Sequence, residues 1–400
     1  MKLKWKISEI KMVMGILNGS EAFTGPLSVQ IDLTNRCNNN CIGCWCNSPL
    51  LGDKAMDPET KKKELPFKLV KKLIDELDEM CVREIYLTGG GEPFMHPRIM
   101  DIIEYIKSKG IGCDMSTNFT LISKERTKRL VDLGVDHMNI SMWAGTTKTY
   151  VKTHPNKTDE EFYKMKEMLI YTANLKDKKG KTKPIITIYN VIFNMNFHEI
   201  KEMIDFAFLV KADSVYFTMM DPVEGRTEIL LLNEEQRCEL IKEISKVKEY
   251  VNKKNADLGT NLRVNALDQF LRRVSNENSK EGKYDSNIVD TIPCYAGWTF
   301  ARIMANGYIL SCLKSHLMPI GNIHKQSFKK AWYSKKQRLF REKSRCKKSD
   351  PYFSKINCYK SCDNLGTNLS IHGKIQSLPA FSKFLLRNLA FILKPKGKRI

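Results

Sequence analysis

Short runs of β-branched, aromatic and aliphatic residues alternate with amphipathic stretches from Ser28 onward. One such stretch, residues 67–80, places Val70, Leu73 and Leu77 on one face of a helix. Because this alternation favours right-handed βαβ units and a parallel sheet, we predict an α/β fold, an open partial (β/α)6 barrel. Its active-site residues are expected in the loops after the strands. The predicted strands are residues 28–33, 83–88, 111–116, 136–141, 185–193 and 214–219.

The 400 residues, 42% of them hydrophobic, are enough for one large core and an appended module. Lysines interrupt the apolar residues at the N-terminus, which argues against a secretion signal. We therefore expect a cytoplasmic protein whose twelve cysteines serve mainly as metal ligands rather than in disulfides. The expected parts are a basic helical lead (1–27), the barrel (28–255), a C-terminal module (256–375) and a basic amphipathic tail (376–400).

Three cysteines follow the first predicted strand in the segment LTNRCNNNCIGCW. Cys37, Cys41 and Cys44 can hold three irons of a 4Fe-4S cube and leave the fourth iron without a protein ligand. An iron with an open position can bind and activate a small molecule, whereas a structural site uses four ligands. Cys46 is the alternative fourth ligand and would make a closed zinc or iron-sulfur knuckle, although its CxC spacing strains a single cube.

The CxxxCxxC loop followed by the aromatic Trp45 resembles the signature of the radical S-adenosylmethionine family. The resemblance implies that the amino and carboxylate groups of S-adenosylmethionine chelate the open iron. One electron from the cluster then cleaves the sulfonium to a 5'-deoxyadenosyl radical, so the cofactor carries the chemistry and the protein positions it. An electron donor such as flavodoxin or ferredoxin is implied as a partner.

A glycine run stands at the end of the second predicted strand, in LTGGGEPFMHP. Glycine lets a backbone approach a ligand more closely than any residue with a Cβ allows. Gly90, Gly91 and Glu92 resemble the GGE motif of the family, whose backbone meets the amino group of the cofactor. The alternative is a simple turn.

Polar residues end the later strands. Ser116 ends the third, Asn118 follows it, Ser141 ends the fourth, and Asn196 follows the fifth. By resemblance to the family, these residues line the carboxylate and ribose side of the cofactor. The alternative is an ordinary polar strand end, or for Asn196 a helix cap.

The C-terminal third contains a second group of cysteines. Twelve residues separate Cys294 from Gly307, and four separate Gly307 from Cys312. This CxnGx4C element, with the GNI turn and a Trp helix after it, resembles the SPASM and twitch extensions that bind auxiliary 4Fe-4S clusters. Because the CxxCxxxxxC portion is missing and only a CxxxC pair remains, we expect one auxiliary cluster.

The predicted ligands of the auxiliary cluster are Cys294, Cys312, Cys358 and Cys362, with Cys346 as a substitute. A zinc ribbon is the alternative, but it favours two CxxC knuckles, and that spacing is absent from these pairs. The other cysteines, Cys81, Cys113 and Cys238, are expected to be buried as small hydrophobic residues.

A fully ligated auxiliary cluster suggests electron transfer, and therefore an oxidation. In this hypothesis the radical removes a hydrogen atom, a base removes a proton, and the auxiliary cluster accepts the remaining electron. Asp221 follows the sixth strand and is the predicted base, with an exposed loop carboxylate as the alternative. The expected substrate is a sugar, a lipid-linked glycan or another metabolite, and the alternative is a peptide or protein.

The chain carries a net charge of +21. A metal-stabilised nucleic-acid-binding protein is thus a rival of another class, but the lysines and tryptophans are dispersed, which disfavours nucleic acid as a partner. The tail FSKFLLRNLAFILKPKGKRI mixes aromatic and aliphatic residues with basic ones. It is expected either to contact an anionic bilayer or to pack against the protein itself.

Overall fold

The computed structural model describes residues 2–392, and the end of the predicted tail, residues 393–400, lies outside the described residues. The described chain forms one ten-stranded sheet in the order β10-β9-β8-β1-β2-β3-β4-β5-β6-β7. The strands are β1 (Ser28–Ile31), β2 (Glu84–Leu87), β3 (Gly112–Thr117), β4 (His137–Ser141), β5 (Ile185–Ile192), β6 (Ser214–Met219), β7 (Arg263–Asn265), β8 (Phe300–Ile303), β9 (Tyr308–Leu310) and β10 (Gly321–Asn322).

Strands β1 to β7 are parallel neighbours in chain order, and the sheet is not closed into a barrel. The α/β class and the open parallel architecture predicted from the sequence are confirmed. All six predicted strands are present within two residues at either end. Four further strands, β7 to β10, extend the sheet at its two edges.

Helices connect successive strands from β1 to β8, and further helices precede the first strand and follow the last. They are α1 (Lys2–Asn18), α2 (Pro58–Lys61), α3 (Phe67–Glu79), α4 (Ile99–Ser108), α5 (Lys124–Leu133), α6 (Thr147–Thr153), α7 (Asp159–Lys178), α8 (Ile200–Leu209), α9 (Glu234–Leu258), α10 (Leu267–Ser275), α11 (Ala296–Thr299), α12 (Phe328–Trp332), α13 (Lys335–Lys343), α14 (Pro351–Ser354), α15 (Leu365–Gln376) and α16 (Ala380–Ile392).

Sequence signals explain where several helices start and stop. Ser123 caps α5 by accepting the N–H of Arg126, and Gly134 ends that helix in the left-handed conformation. Asn233 and Gln236 form a capping box at the start of α9. This helix spans the boundary expected at residue 255, so the chain changes from barrel to module without a break there.

The two faces of the sheet differ in polarity. Alternate residues such as Ile31, Leu87 and Ile188 are fully buried against the helices. The opposite face is polar and carries Gln30, Tyr86, Asp114, Ser116, Asn139, Ser141, Thr187, Tyr189 and Tyr216. Since side chains alternate across a strand, one face builds the core while the other lines the open side of the sheet.

The C-terminal module shares the sheet of the barrel. Strand β8 pairs in parallel with β1, and β9 and β10 continue from it in antiparallel pairs. The indole N–H of Trp298, in α11, donates to the carbonyl of Glu21 over 2.7 Å. This arrangement places the second group of cysteines at the same sheet as the first. None of the helices within residues 2–392 combines the length and apolar character needed to cross a bilayer.

Candidate active site

The loop after β1 carries the three cysteines predicted to bind the first cluster. Cys37, Cys41 and Cys44 are partly buried and free of disulfides. Two backbone amides point at their sulfurs: the N–H of Asn39 donates to Cys37 Sγ over 3.4 Å, and that of Asn47 donates to Cys44 Sγ over 3.4 Å. Hydrogen bonds to cluster sulfurs hold the ligands in place and tune the reduction potential.

Burial controls the acid–base state of these thiols. Desolvation raises the pKa of Cys37 to about 12 and the pKa of Cys41 well above its ordinary value. A hydrogen bond with Cys46 instead lowers the pKa of Cys44 to about 7. Because a bound metal cation compensates the buried charge of a thiolate, this set of three thiols fits metal ligation.

Cys46 connects the cysteine loop to the glycine loop. Its side chain is 3% exposed, and its sulfur lies 3.1 Å from the carbonyl oxygen of Gly90 and 3.8 Å from the sulfur of Cys44. The side-chain amide of Asn47 donates to the same carbonyl over 3.2 Å. Cys46 therefore contacts both Cys44 and the glycine loop, and the three-cysteine ligand set stays a prediction.

The glycine loop after β2 packs tightly on the base of the cysteine loop. Gly89 has a φ of +132°, and a Cβ on it would lie 2.0 Å from Cγ of Asp32. A Cβ on Gly91 would lie 2.2 Å from the carbonyl oxygen of Arg36. The loop therefore needs glycine for steric reasons, and the alternative of a simple surface turn is disfavoured.

Glu92 is a link between two loops. Its side chain is 3% exposed, and its carboxylate accepts the Thr117 hydroxyl over 2.7 Å and the backbone N–H of Asn118 over 2.7 Å. Burial raises the pKa of the Glu92 carboxyl. The end of β3 thus occupies both carboxylate oxygens, and the backbone N–H of Glu92 donates to the carbonyl of Arg36 over 2.9 Å, so the contact of Glu92 with a cofactor stays a prediction.

Asn118 also joins β3 to the cysteine loop. Its side-chain amide donates to Oδ1 of Asn38 over 2.9 Å, and its own Oδ1 accepts the hydroxyl of Thr120 over 2.8 Å. The carboxyl end of β3 is thus held against the loop that carries Cys37 and Cys41.

Ser116 and Ser141 lie on the polar face of the sheet. The Ser116 hydroxyl is hydrogen-bonded to the Tyr86 hydroxyl, which also accepts the side-chain amide of Asn139 over 3.0 Å. Ser141 is the register partner of Tyr189 on the next strand. Both serines therefore face the side on which the cysteine loop lies, and their contact with a cofactor stays a prediction.

The structure uses the side chain of Asn196 differently from our expectation. Asn196 is fully buried, and its amide bonds three backbone groups: the N–H of Phe193 and the carbonyls of Trp143 and Val191, over 2.8–2.9 Å. It makes no side-chain cap to the following helix. Because these bonds occupy the amide, the side chain fastens the loop after β5 to the loop after β4 instead of contacting a cofactor.

The four cysteines predicted for the auxiliary cluster come together. Cys294, Cys312, Cys358 and Cys362 line one cavity, and the side-chain amide of Asn368 lies 3.9 Å from the sulfurs of both Cys294 and Cys362. Burial raises the pKa of all four thiols, in the case of Cys312 to about 11. Four buried thiols around one space fit a fully ligated cluster.

The other cysteines lie apart from this cavity. Cys346, the substitute ligand, is half-buried and does not line it. Cys113 is fully buried in the core as expected, whereas Cys238 is exposed and Cys81 is half-buried. The expectation for Cys238 was wrong because its position on α9 faces solvent rather than the sheet.

The predicted base, Asp221, lies beside the auxiliary cavity. Its carboxylate is 2.8 Å from the ammonium of Lys314 and accepts the hydroxyl of Ser361 over 3.1 Å. Lys314 and Ser361 both line the cavity of the four cysteines. Asp221 therefore belongs to a charged network at the module, but it is also an exposed loop residue, as in the alternative interpretation, and its role as the base stays a prediction.

The structure adds a second carboxylate that our sequence reasoning missed. Asp363 lines the same cavity, is exposed to solvent, and makes no hydrogen bond to a described residue. Its position directly after Cys362 was the available signal, because a residue next to a cluster ligand is fixed at the cluster.

These features define an iron-sulfur enzyme of the α/β class, with an open three-cysteine site and a closed four-cysteine site. A family model of the radical SAM superfamily matches residues 31–207, and one of the SPASM iron-sulfur cluster-binding domain matches residues 294–363. The chain belongs to the radical SAM superfamily and carries a SPASM domain. This membership implies S-adenosylmethionine, a 4Fe-4S cluster and an auxiliary iron-sulfur cluster.

Two curated relatives differ in how much of the chain they match. The tungsten-containing aldehyde ferredoxin oxidoreductase cofactor-modifying protein of Pyrococcus furiosus is 24% identical over 341 residues, which cover 84% of this chain and 85% of the relative. The PqqA peptide cyclase of Bradyrhizobium diazoefficiens is 30% identical over 122 residues, which cover 30% of each chain.

Solved structures share the fold. SuiB of Streptococcus suis, bound to S-adenosylmethionine, has a TM-score of 0.57 and 19% identity, covering 83% of this chain and 68% of that one. Native anSMEcpe with bound AdoMet has a TM-score of 0.57 and 15% identity, covering 92% of this chain and all of that one. At this identity, the likeness shows the fold alone.

Proposed function

We propose that the chain is a radical SAM maturase that oxidises a peptide or protein. The name of the Bradyrhizobium relative, PqqA peptide cyclase, supports a peptide substrate. The relatives thus favour the peptide alternative over the sugar or lipid-linked glycan that we expected from the sequence.

One observation carries the proposed reaction type: an accessible carboxylate and four converging cysteines share one cavity. Removing two hydrogens from a substrate bond transfers one hydrogen atom, one proton and one electron. When bound, the first cluster and S-adenosylmethionine supply the radical that takes the hydrogen atom. This chain offers Asp363 or Asp221 for the proton and the four cysteines for a cluster that takes the electron.

The polar face of the sheet forms the wall against which a substrate would lie. Tyr189 and Tyr216 stack with ring centroids 4.9 Å apart, and burial raises the pKa of both hydroxyls. Stacked rings are rigid, so they can orient a substrate side chain at low entropic cost. The ammonium of Lys314 forms an ion pair with the carboxylate of Asp221.

The substrate class can be tested without knowing the substrate. Reconstituted enzyme, dithionite and S-adenosylmethionine are incubated anaerobically with an extract of cells that naturally express the chain, and 5'-deoxyadenosine is measured. We expect the macromolecular fraction to stimulate release several-fold. Pretreatment of that fraction with protease should abolish the stimulation, whereas periodate, which oxidises glycans, should not. Mass spectrometry should show a peptide lighter by two hydrogens.

A second candidate follows from the Pyrococcus relative, which matches most of the chain and is named a cofactor-modifying protein. In that case the stimulating substance passes a small-molecule filter and resists protease. That result would contradict the peptide proposal while leaving the radical SAM activity intact.

A further inference from the structure

Large apolar side chains are exposed along α16, the last described helix. Phe381, Phe384, Phe391 and Ile392 are each 62–77% exposed, and Leu385 and Leu389 are about half exposed. Single exposed apolar residues are common on protein surfaces, but a continuous patch marks an interaction site. Among the described residues, no other helix exposes so many large apolar side chains.

The orientation of α16 is the reverse of an ordinary surface helix. It packs against α1, and the side facing the protein holds Ala390, which is fully buried, with Ser382, Lys383 and Leu386 half-buried. A surface helix normally turns its apolar stripe to the core. Here the apolar stripe faces outward. Packing against the protein itself was one of the two expectations for the tail, and it explains the burial of only the narrow inner side of α16.

The segment of the chain that contains α16 is basic. The sequence contains no Asp or Glu after Asp363, and the basic residues from there to the end are Lys374, Lys383, Lys394, Lys396, Lys398, Arg387 and Arg399. Basic residues beside a bilayer gain free energy from anionic headgroups within about a Debye length.

Helix α1 extends the same character to the neighbouring element. Leu3, Ile7 and Ile10 are 45–71% exposed at a spacing that places them on one helical face. Lys6 and Lys11 are exposed on the same helix. The two packed helices therefore both present apolar and basic side chains to solvent.

We propose that α16, assisted by α1, docks the enzyme on an anionic phospholipid surface. The 13 residues of α16 are about 20 Å long, which suits a helix lying in the interface plane rather than crossing it. A second copy of the chain is the less suitable occupant. Helix α16 contains Lys383 and Arg387 but no acidic residue, so face-to-face packing of this helix in two copies would offer these cations no partner. The proposal does not depend on which substrate is modified.

Vesicle flotation of the full reconstituted enzyme tests this docking. Vesicles of phosphatidylcholine with phosphatidylglycerol are compared with pure phosphatidylcholine at physiological salt, and light scattering reports the oligomeric state. The variant Phe384→Glu/Phe391→Glu is matched by Leu209→Glu/Leu258→Glu, which adds the same charge at two exposed leucines elsewhere. Thermal melting confirms that both variants are folded.

We expect wild type and the leucine control to float with anionic vesicles, and the phenylalanine variant to bind about tenfold less or weaker still. Flotation should fall on pure phosphatidylcholine and at high salt. The proposal is overturned if wild type stays unbound, or if the phenylalanine variant floats like wild type. It is also overturned if wild type is a dimer that this variant alone dissociates, since the face would then bind a second copy.

Discussion

Arg302 and Asp32, which are 270 residues apart in sequence, form a buried ion pair through two guanidinium nitrogens. Nη2 and Nε of Arg302 lie 2.6 and 3.0 Å from Oδ2 of Asp32. The guanidinium also lies over the ring of Trp45, 5.2 Å from its centroid. Since Asp32 directly follows β1 and Arg302 is on β8, the pair joins the SPASM module to the base of the cysteine loop.

Breaking this pair should destabilise the enzyme strongly. Arg302→Met leaves the Asp32 carboxylate buried without its partner, and we expect a loss of about 3–5 kcal/mol in the free energy of unfolding. The control is Arg129→Met, which removes an exposed partner of Glu104 and should cost about 1 kcal/mol or less. Unfolding in guanidinium measures the loss of stability in both variants. Equal losses would show that the buried ion pair contributes no more than the control pair.

The glycine loop should not tolerate a methyl group. Gly89→Ala places a Cβ 2.0 Å from Cγ of Asp32, so we expect loss of S-adenosylmethionine binding and of first-cluster iron. Gly180→Ala is the matched control, because Gly180 also has a positive φ, +60°, but has open space where the Cβ would go. Equilibrium binding and iron content distinguish them. Wild-type binding by Gly89→Ala would refute the steric argument.

Iron content should depend on the two sets of cysteines separately. Wild type should contain about eight irons after anaerobic reconstitution, as two cubes. Cys294→Ala/Cys312→Ala should retain about four, whereas Cys346→Ala and Cys238→Ala should retain all of them, since neither residue lines the cavity. Iron loss in Cys346→Ala would instead make that residue a ligand.

Acid should weaken the fold through His154. Its side chain is 1% exposed, and burial lowers its pKa from 6.5 to about 4. Between these pH values the unfolded chain binds a proton at His154 that the folded chain does not bind. The contribution of His154 to the free energy of unfolding is therefore complete above pH 6.5 and declines toward pH 4. The resulting loss in the free energy of unfolding, from above pH 6.5 to below pH 4, is about 3 kcal/mol.

Urea unfolding at pH 5 and pH 7.5 measures this dependence. His154→Phe, which keeps an aromatic ring beside Tyr150 and Trp143, should lose less stability at pH 5 than wild type does. His324→Phe, at an exposed position, should behave like wild type. An unchanged pH response in His154→Phe would mean that other groups dominate.

The parallel core was predictable because each strand and helix carries its own periodic pattern. Residues 214–219, for instance, are a strand in both the prediction and the structure. The short strands β7, β9 and β10 were missed because two or three residues carry no periodicity, and they form only by pairing with neighbours. Helix α9 has capping residues at its start that a fuller reading of the sequence would have found.

The site was predictable where ligand spacing fixes the chemistry, as for Cys37, Cys41 and Cys44. Tertiary contacts decided the remaining roles. Asn196 ends a strand in the expected place, yet backbone groups take all its hydrogen bonds. Arg302 gave no local signal, because its partner is 270 residues away.

The most direct test of the account is reductive cleavage of S-adenosylmethionine by the three-cysteine site. Reconstituted enzyme is mixed anaerobically with dithionite and S-adenosylmethionine, and 5'-deoxyadenosine is quantified by chromatography. Wild type should release it, whereas Cys37→Ala/Cys41→Ala/Cys44→Ala should release none while keeping the auxiliary cluster. Release by this triple variant at the wild-type rate would contradict the assignment of the radical chemistry to these cysteines.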